Sequence, residues 1–295
     1  MKKHIHLILI VLLLCSCSGC EKEETQGFTV ASWNVQNLFD SINDGTEYSE
    51  YKHQNGWSDT AYRARLKTAA SVLKEGYLGK ADIIVLNEVE NQNVVLDLMG
   101  QLDSSYLWYA VASEDGGAIS LAVISRIPMK DAKIHSIEGA RPIIESQFEI
   151  DSMEVFVFAA HAKSNLGDSD ENVELRRLLG HALDGLVTLT MQEYPDSLVI
   201  IAGDFNEEPW DGNVIRDFEI WRCFWEDFER GVIGSYYYND SWRCYDNILL
   251  SSDMIDSWGV VTDGIVTTED GLPNRWDRLT LSGVSDHLPV WVRII

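Results

Sequence analysis

The 295 residues carry 47 acidic side chains against 23 basic ones, a formal net charge of -24. So acidic a surface repels polyanions at long range and lacks the basic stripe of a tight nucleic-acid binder, so a polyanionic substrate would need a bound cation. With 45% apolar and 10% aromatic residues and no proline-rich or serine-rich internal linker, the chain suits one large α/β domain.

Lys2 and Lys3 precede an apolar run over residues 5–14, then small residues and cysteines. The run is too short to span a bilayer and reads as a signal h-region, so residues 1–17 are expected to direct export. Leu14-Cys-Ser-Cys17 resembles a bacterial lipoprotein box with Cys17 as the acylated residue. Cys15 and Cys20 compete for that role, and a plain signal peptide is the alternative. Residues 18–27 then form a polar tether and residues 28–295 the folded domain. The expected location is the cell envelope, through a lipid anchor, or the medium if no acylation occurs. Beyond the signal only Cys223 and Cys244 remain, and an exported protein can oxidise such a pair. The sequence leaves open whether they meet.

Residues 28–34 read as a strand whose end presents Asn34. A polar, glycine-containing surface loop follows over residues 40–57. Ser58 or Asp59 caps a helix to about residue 74, whose apolar face includes Leu66, Ala69, Ala70 and Leu73, with Gly76 as its stop. Residues 81–86 form a buried strand with Glu88 just past its end, followed by a helix over residues 93–102. Strands are predicted at 107–112, 118–125, 132–137, 143–150 and 154–160, with Asp151-Ser152 turning the last pair. His161 emerges where the last of these ends. A long helix over residues 172–194 leads to the apolar run Leu198-Val-Ile-Ile-Ala-Gly-Asp-Phe-Asn206, which leaves Asp204 and Asn206 at a strand's carboxyl end. Near the C-terminus, Asn239-Asp240 marks a hairpin leading into a strand that bears Asp246, and a final strand over 288–295 follows Asp286-His287.

The halves run loosely parallel. Strand, helix and strand ending in Asn34 and then Glu88 are echoed by strand, helix and strand ending in His161 and then Asp204. If two such units pack sheet against sheet, all four polar ends converge on one edge with helices outside. The collected set is Asn34, Glu88, His161, Asp204, Asn206, Asp246, Asp286 and His287. Zinc-type cysteine or histidine pairs, a Gly-x-Ser-x-Gly elbow and a phosphate-cradling P-loop are all missing from the sequence. Carboxylates and amides are hard ligands suited to magnesium, manganese or calcium. With histidines that hydrogen-bond phosphate and an aspartate that orients water, the set fits phosphate-ester hydrolysis.

Trp33-Asn34, Glu88 in Asn-Glu-Val-Glu, His161, Gly203-Asp-Phe-Asn206, Asp246 in Tyr-Asp-Asn-Ile-Leu and Ser285-Asp-His-Leu-Pro289 together resemble the endonuclease/exonuclease/phosphatase superfamily. The resemblance implies a four-layer sandwich: two packed, mainly antiparallel or mixed β-sheets flanked by helices. It also implies a magnesium-dependent phosphoesterase, with manganese or calcium as substitutes, that works as a monomer. Carried over, Glu88 is the principal metal ligand with Asn34 and Asp286 beside it. Asp204 orients or deprotonates water, Asn206 holds it or a phosphate oxygen, and His287 meets the scissile phosphate, kept cationic by Asp246. His161 matches a second phosphate-contacting histidine, and Glu114 resembles the carboxylate that orients it.

Trp-Asn-Val-Gln-Asn-Leu-Phe-Asp, His-Ala-Lys-Ser and the Arg176-Arg177 helix look like secreted bacterial nucleases of this superfamily. Ile201-Ala202 before the Gly-Asp turn departs from the tryptophan typical of inositol-phosphate phosphatases. Arg141, Lys163, Arg126 and Arg243 are the cations expected nearest the site, with Arg141 and Lys163 as phosphate contacts. A base-reading element is not visible, so the expected activity is a largely sequence-indifferent endonuclease of DNA, with RNA left open as a second substrate. The alternatives are a phospholipid phosphodiesterase of sphingomyelinase type, an inositol-phosphate phosphatase, and a non-catalytic surface binding lipoprotein.

Overall fold

Valine and isoleucine runs with alternate residues committed to opposite layers set the architecture. The computed structural model describes residues 27–165, Gly167 and 170–295, so the export segment, Cys17 and nearly all of the tether lie outside the described residues. In chain order the elements are β1 (Phe28–Leu38), α1 (Asp59–Lys74), β2 (Ile83–Val89), α2 (Gln92–Gln101), β3 (Trp108–Ser113), β4 (Ser120–Ser125), β5 (Met129–Ile137), β6 (Ala140–Ile150) and β7 (Met153–His161). There follow α3 (Asp170–Glu193), β8 (Leu198–Asp204), β9 (Arg222–Cys223), β10 (Tyr236–Tyr238), β11 (Ser241–Arg243), β12 (Asp246–Leu250), β13 (Ile255–Val260) and β14 (Val290–Ile294).

Two six-stranded sheets result, one ordered β13-β14-β1-β2-β4-β3 and the other β5-β6-β7-β8-β12-β9, with β10-β11 a separate hairpin. Both are mixed. In each, one parallel pair, β1 with β2 and β7 with β8, sits among antiparallel neighbours. A parallel pair needs a crossover, and α1 and α3 supply it. In β2, Ile83 and Val85 pack into the core shared by the two sheets, while Ile84 and Leu86 pack toward α1 and α2. Both faces are therefore buried, as a near-continuous apolar run requires. On the outer side of the second sheet, α3 packs against β6 with Leu179, Leu183 and Val187 buried. The result is the helix, sheet, sheet, helix sandwich the sequence implies.

Local chemistry explains the boundaries. Ser58 caps α1, its side chain accepting from Ala61 N, and Asn91 caps α2 by accepting from Val94 N. Asp151-Ser152 and Asn239-Asp240 all take positive φ, the conformation that two-residue hairpins need. The C-terminal region departs from expectation in three places. A short β9 and the edge strand β13 lie where none is predicted, the hairpin strand ends at Arg243 before β12 restarts at Asp246, and the last strand begins at Val290 because Pro289 has no N–H to pair. Cys223 and Cys244 are both buried free thiols, and burial pushes the Cys223 thiol up to about 12. Trp221, Phe224 and Trp225 are buried in the core.

Candidate active site

The two parallel pairs end in register on the same side of the sandwich. Asn34 pairs with Asn87 at the tip of β1 and β2, and His161 pairs with Asp204 at the tip of β7 and β8. Asp246 starts β12 directly opposite Asp204. His287 arrives on the turn before β14, where Trp33 Nε1 donates to its carbonyl over 3.1 Å. Five strands and one turn thus supply the cluster predicted from strand ends.

Asn34 links the sheets. Its Nδ2 donates to Glu88 Oε1 at 3.0 Å and to Asp204 Oδ2 at 2.8 Å, while Gln36 N donates to its Oδ1 at 2.9 Å. The Gln36 bond fixes which end of the amide is oxygen. This differs from the expected metal-ligand role: Asn34 presents its donor to the carboxylates, so here it positions Glu88 and Asp204. Glu88 takes its second hydrogen bond from Asn37 N, 3.0 Å to Oε2. The backbone makes this possible through a bulge, because Gln36, Asn37 and Glu88 all have positive φ where the β1–β2 register shifts.

The second sheet reaches its tip without a bulge. Gly203, at φ 144, lies so close to Ala160 O that a Cβ would overlap it, which explains the glycine of the Gly-Asp turn. Asn206, at φ 52, donates its backbone N–H to Asp204 Oδ1 at 2.8 Å and its Nδ2 to Ala162 O at 3.2 Å. Asp204 is 1% exposed, and His161 Nε2 and His287 Nε2 lie 3.8 and 3.9 Å from its Oδ2. His287 Nδ1 makes a 2.7 Å bond with Asp246 Oδ2, and the ring of Tyr236 stacks on the imidazole with centroids 4.6 Å apart.

Environment separates the protonation states. Burial pushes the Asp204 carboxyl up to about 7; His287 opposes the shift and Asp246 adds to it. Burial also works against charge on His287, yet Asp246, Asp204 and Asp286 outweigh it and raise this imidazole to about 10. His161 is held well below its usual range by burial first, then by Arg141, His287 and Lys163. The site therefore pairs one cationic and one neutral imidazole around a carboxylate poised to titrate. Glu88 is raised by burial and by Asp286, with Asn34, His287 and Arg141 opposing.

Among the described residues, Asp204, Asp246 and His287 offer ligand atoms within 4.8 Å of one another. A cationic His287 bound to Asp246 is a poor metal donor, however. Glu88 and Asp286 are the better pair: two hard carboxylates, with Asp286 adding to the cost of ionising Glu88, a conflict that a divalent cation relieves. Asp286 has one cationic neighbour, Arg275 at 3.6 Å, and its N–H donates to Gln36 Oε1 at 2.9 Å.

The expected cations divide. Arg141 Nη1 donates to Ala162 O at 2.9 Å, beside His161, and Lys163 is exposed just beyond it. Arg126 belongs elsewhere: it binds Asp103 at 2.6 Å and Gly79 O at 2.9 Å and lies over the ring of Tyr106, on the face away from the strand tips. Arg243 faces Glu208 at 4.0 Å, and Arg176 forms a buried 3.1 Å pair with Glu207. Glu114 lies exposed in the turn after β3, and no hydrogen bond joins it to His161 among the described residues. The carboxylate facing that histidine is Asp204.

Several contributors carry no sequence signal of their own. Gln36 accepts from Trp276 N and Asp286 N, Ser285 Oγ donates to Asn34 O at 2.7 Å, and Ser235 Oγ accepts from Asp246 N at 2.9 Å. A groove of about 510 Å³ opens beside Asp286, and its charged lining is balanced, Arg275 and Arg278 against Glu50 and Asp277.

Two mixed sheets between helices, with acids and histidines gathered at the strand tips, define a four-layer α/β sandwich with a polar site at one end. The chain belongs to the endonuclease/exonuclease/phosphatase family, whose model matches residues 29–295 and whose members are typically metal-dependent hydrolases. Among solved structures, Danio rerio TDP2 complexed with a single-strand DNA product is similar at 17% identity and TM-score 0.61, covering 92% of this chain and 99% of that one. A family protein from Bacteroides thetaiotaomicron aligns at 17% identity and TM-score 0.62 over 91% and 94%. Beta toxin from Staphylococcus aureus aligns at 16% and 0.62 over 90% and 99%. These likenesses establish the shared fold. No curated protein matches the chain.

Proposed function

We propose that this protein is a divalent-metal-dependent phosphodiesterase, an endonuclease that cuts DNA with little regard to sequence. The observation that carries the reading is the acid–histidine tip itself, with His287 bonded to Asp246 at 2.7 Å and His161 and His287 both facing Asp204. Magnesium is the proposed ion, held by Glu88 and Asp286. When bound, it would supply Lewis-acid stabilisation of charge on the phosphate.

The chain's own residues do the rest. Asp204, with its carboxyl raised to about 7, takes the proton of the attacking water, and Asn206 and Asn34 fix its orientation. His287 donates from its Nε2 to a phosphate oxygen, and Asp246 keeps that ring charged and aimed. His161 adds a neutral donor next to Arg141, which sits close enough to lower its basicity. A DNA-product complex in the TDP2 neighbour is consistent with a nucleic-acid substrate. Export with acylation at Cys17 is part of the same proposal, and metabolic lipid labelling lost in Cys17→Ser would test it.

The direct test is nicking of supercoiled plasmid by the mature chain, with magnesium and with EDTA, beside Glu88→Gln. Metal-dependent nicking that is absent in the variant is expected. Intact plasmid with magnesium, manganese and calcium alike would sink the nuclease assignment, and release of phosphocholine or phosphate from lipid or inositol esters would then point to the alternatives.

A further inference from the structure

The hairpin of β10 and β11 belongs to neither six-stranded sheet, yet it is fastened to the turn that carries His287. Tyr236 bridges to His287, and Leu288 N donates to Ser235 O at 2.7 Å. The turn at Asn239-Asp240 holds the register Tyr236 with Arg243, Tyr237 with Trp242 and Tyr238 with Ser241. Opposed residues of an antiparallel pair share a face and successive residues alternate, so Tyr236, Tyr238 and Arg243 lie on one side and Tyr237 and Trp242 on the other. The second side is committed to the interior: Tyr237 and Trp242 meet at 5.2 Å, and Trp242 packs against the core beneath the first sheet.

The first side carries a run of near-parallel rings that leads out of the site. The Tyr236 ring stacks on His287 with centroids 4.6 Å apart, on Tyr245 at 5.5 Å and 19°, and on Tyr238 at 6.2 Å and 14°. The inner rings cover one another, whereas Tyr238, at the outer end, is 53% exposed. Arg243, across from Tyr236, is partly exposed and comes no closer than 4.0 Å to Glu208.

We propose that this face is a base-stacking platform, on which an unpaired nucleobase lies against the Tyr238 ring while the neighbouring phosphate sits at His287 and Arg243 meets the backbone beside it. The inference rests on the nuclease reading and deepens it by naming single-stranded nucleic acid as the preferred substrate. A ring already aligned by its neighbour offers flat contact area at little cost in side-chain freedom. Every base has a π face to lay on it, which agrees with cleavage indifferent to sequence. Inside a duplex both faces of a base are covered by the bases above and below, so only an unpaired strand or a frayed end can use the platform. On a chain of net charge -24, stacking also supplies affinity that long-range attraction does not.

The test is cleavage of an unstructured DNA oligonucleotide by the mature chain with magnesium, as wild type, Tyr238→Ala and Tyr238→Trp. The same sequence is cut as a duplex, and as a single strand with one baseless residue. Tyr238→Ala is expected to raise KM for the single strand about tenfold with kcat within about twofold, and to leave duplex cleavage within about twofold, while Tyr238→Trp matches wild type. In wild type, one bond flanking the baseless residue should be cut about tenfold less than in the intact strand. Tyr238→Ala should erase that contrast, because the base and the ring form one pair. The platform is overturned, with the nuclease reading left in place, by an unchanged KM in Tyr238→Ala, by an equal loss on single strand and duplex, by a Tyr238→Trp as weak as Tyr238→Ala, or by a baseless contrast that is absent in wild type or persists without the ring. No cleavage of any nucleic acid by wild type overturns both, so the two failures are told apart.

Discussion

The two parallel units, β1–α1–β2 and β7–α3–β8, use the same topology for opposite ends. The first finishes in a bulge, with Gln36, Asn37 and Glu88 at positive φ, and turns a half-buried carboxylate outward beside Asp286. The second finishes as a straight ladder, with His161 and Asp204 in register and almost fully buried. Glu88 shares its tip with the second carboxylate of Asp286 and suits a cation, whereas Asp204, raised to about 7 by burial, can pass a proton near neutral pH. Asn34 ties one unit to the other by donating to an acid on each sheet. The lesson is that the strand-end geometry, more than residue type, assigns the roles.

That division predicts the largest effects. Asp204→Asn and Glu88→Gln are each expected to lower kcat by about a thousandfold or more, roughly 4 kcal/mol of transition-state stabilisation. They should differ in metal response: excess magnesium partly restores Glu88→Gln and leaves Asp204→Asn unchanged. Equal rescue of both, measured by plasmid nicking over a magnesium series, would break the division between a metal half and a proton half. Neither variant should melt below wild type, because each removes a charge from a crowded acidic site.

Much of this was legible because strand ends announce themselves. Isoleucine and valine runs located β2, β7 and β8, and the polar residue after each run located Glu88, His161 and Asp204, since a period-two apolar segment must stop where its side chains leave the core. What stayed hidden depends on long-range contact. Gln36 looks like a strand residue, and only the fold shows its amide joining Trp276 and Asp286 from 240 and 250 positions away. Arg126 has the composition of a site cation, but β2–β4 pairing sends it to the face opposite the tips, against Asp103. Glu114 lies at the tip end, just past the Ser113–Ser120 pair, yet Asp204 rather than Glu114 faces His161, and β9 and β13 were missed because short edge strands carry little periodicity.

A smaller effect sharpens the comparison within the second half. Asp246→Asn removes the chief charge partner of His287, and a loss of about a hundredfold in kcat is expected. Its signature is in the pH profile. In wild type the rate should rise as Asp204 loses its proton near pH 7 and fall as His287 loses its own near 10, with bound metal drawing the lower limb downward. The variant's upper limb should move to lower pH while its lower limb stays raised by burial. The same sign holds for stability: a His287 whose folded value is raised stabilises fully below its ordinary 6.5, and that contribution is lost as pH climbs through about 10. An upper limb unmoved in Asp246→Asn would remove His287 as the titrating acid.

His161→Asn keeps a donor in place of a neutral imidazole, so a loss of only about tenfold is expected, without a shift in either pH limb. A pH-dependent loss would mean that His161 carries a proton after all.

The smallest contrast concerns two arginines of equal charge. Arg141 is held on Ala162 O next to His161, and Arg141→Ala should raise KM for DNA by about fivefold to tenfold through loss of one phosphate contact. Arg126→Ala lies on the far face and should leave nicking within about twofold of wild type, while costing about 1–2 kcal/mol of stability through the lost 2.6 Å pair with Asp103, the bond to Gly79 O and the stacking on Tyr106. The sum of charges is the same in both variants, so a general electrostatic attraction for DNA would weaken binding equally in each. A measured difference in KM at fixed salt therefore locates the substrate on the tip where the two units meet.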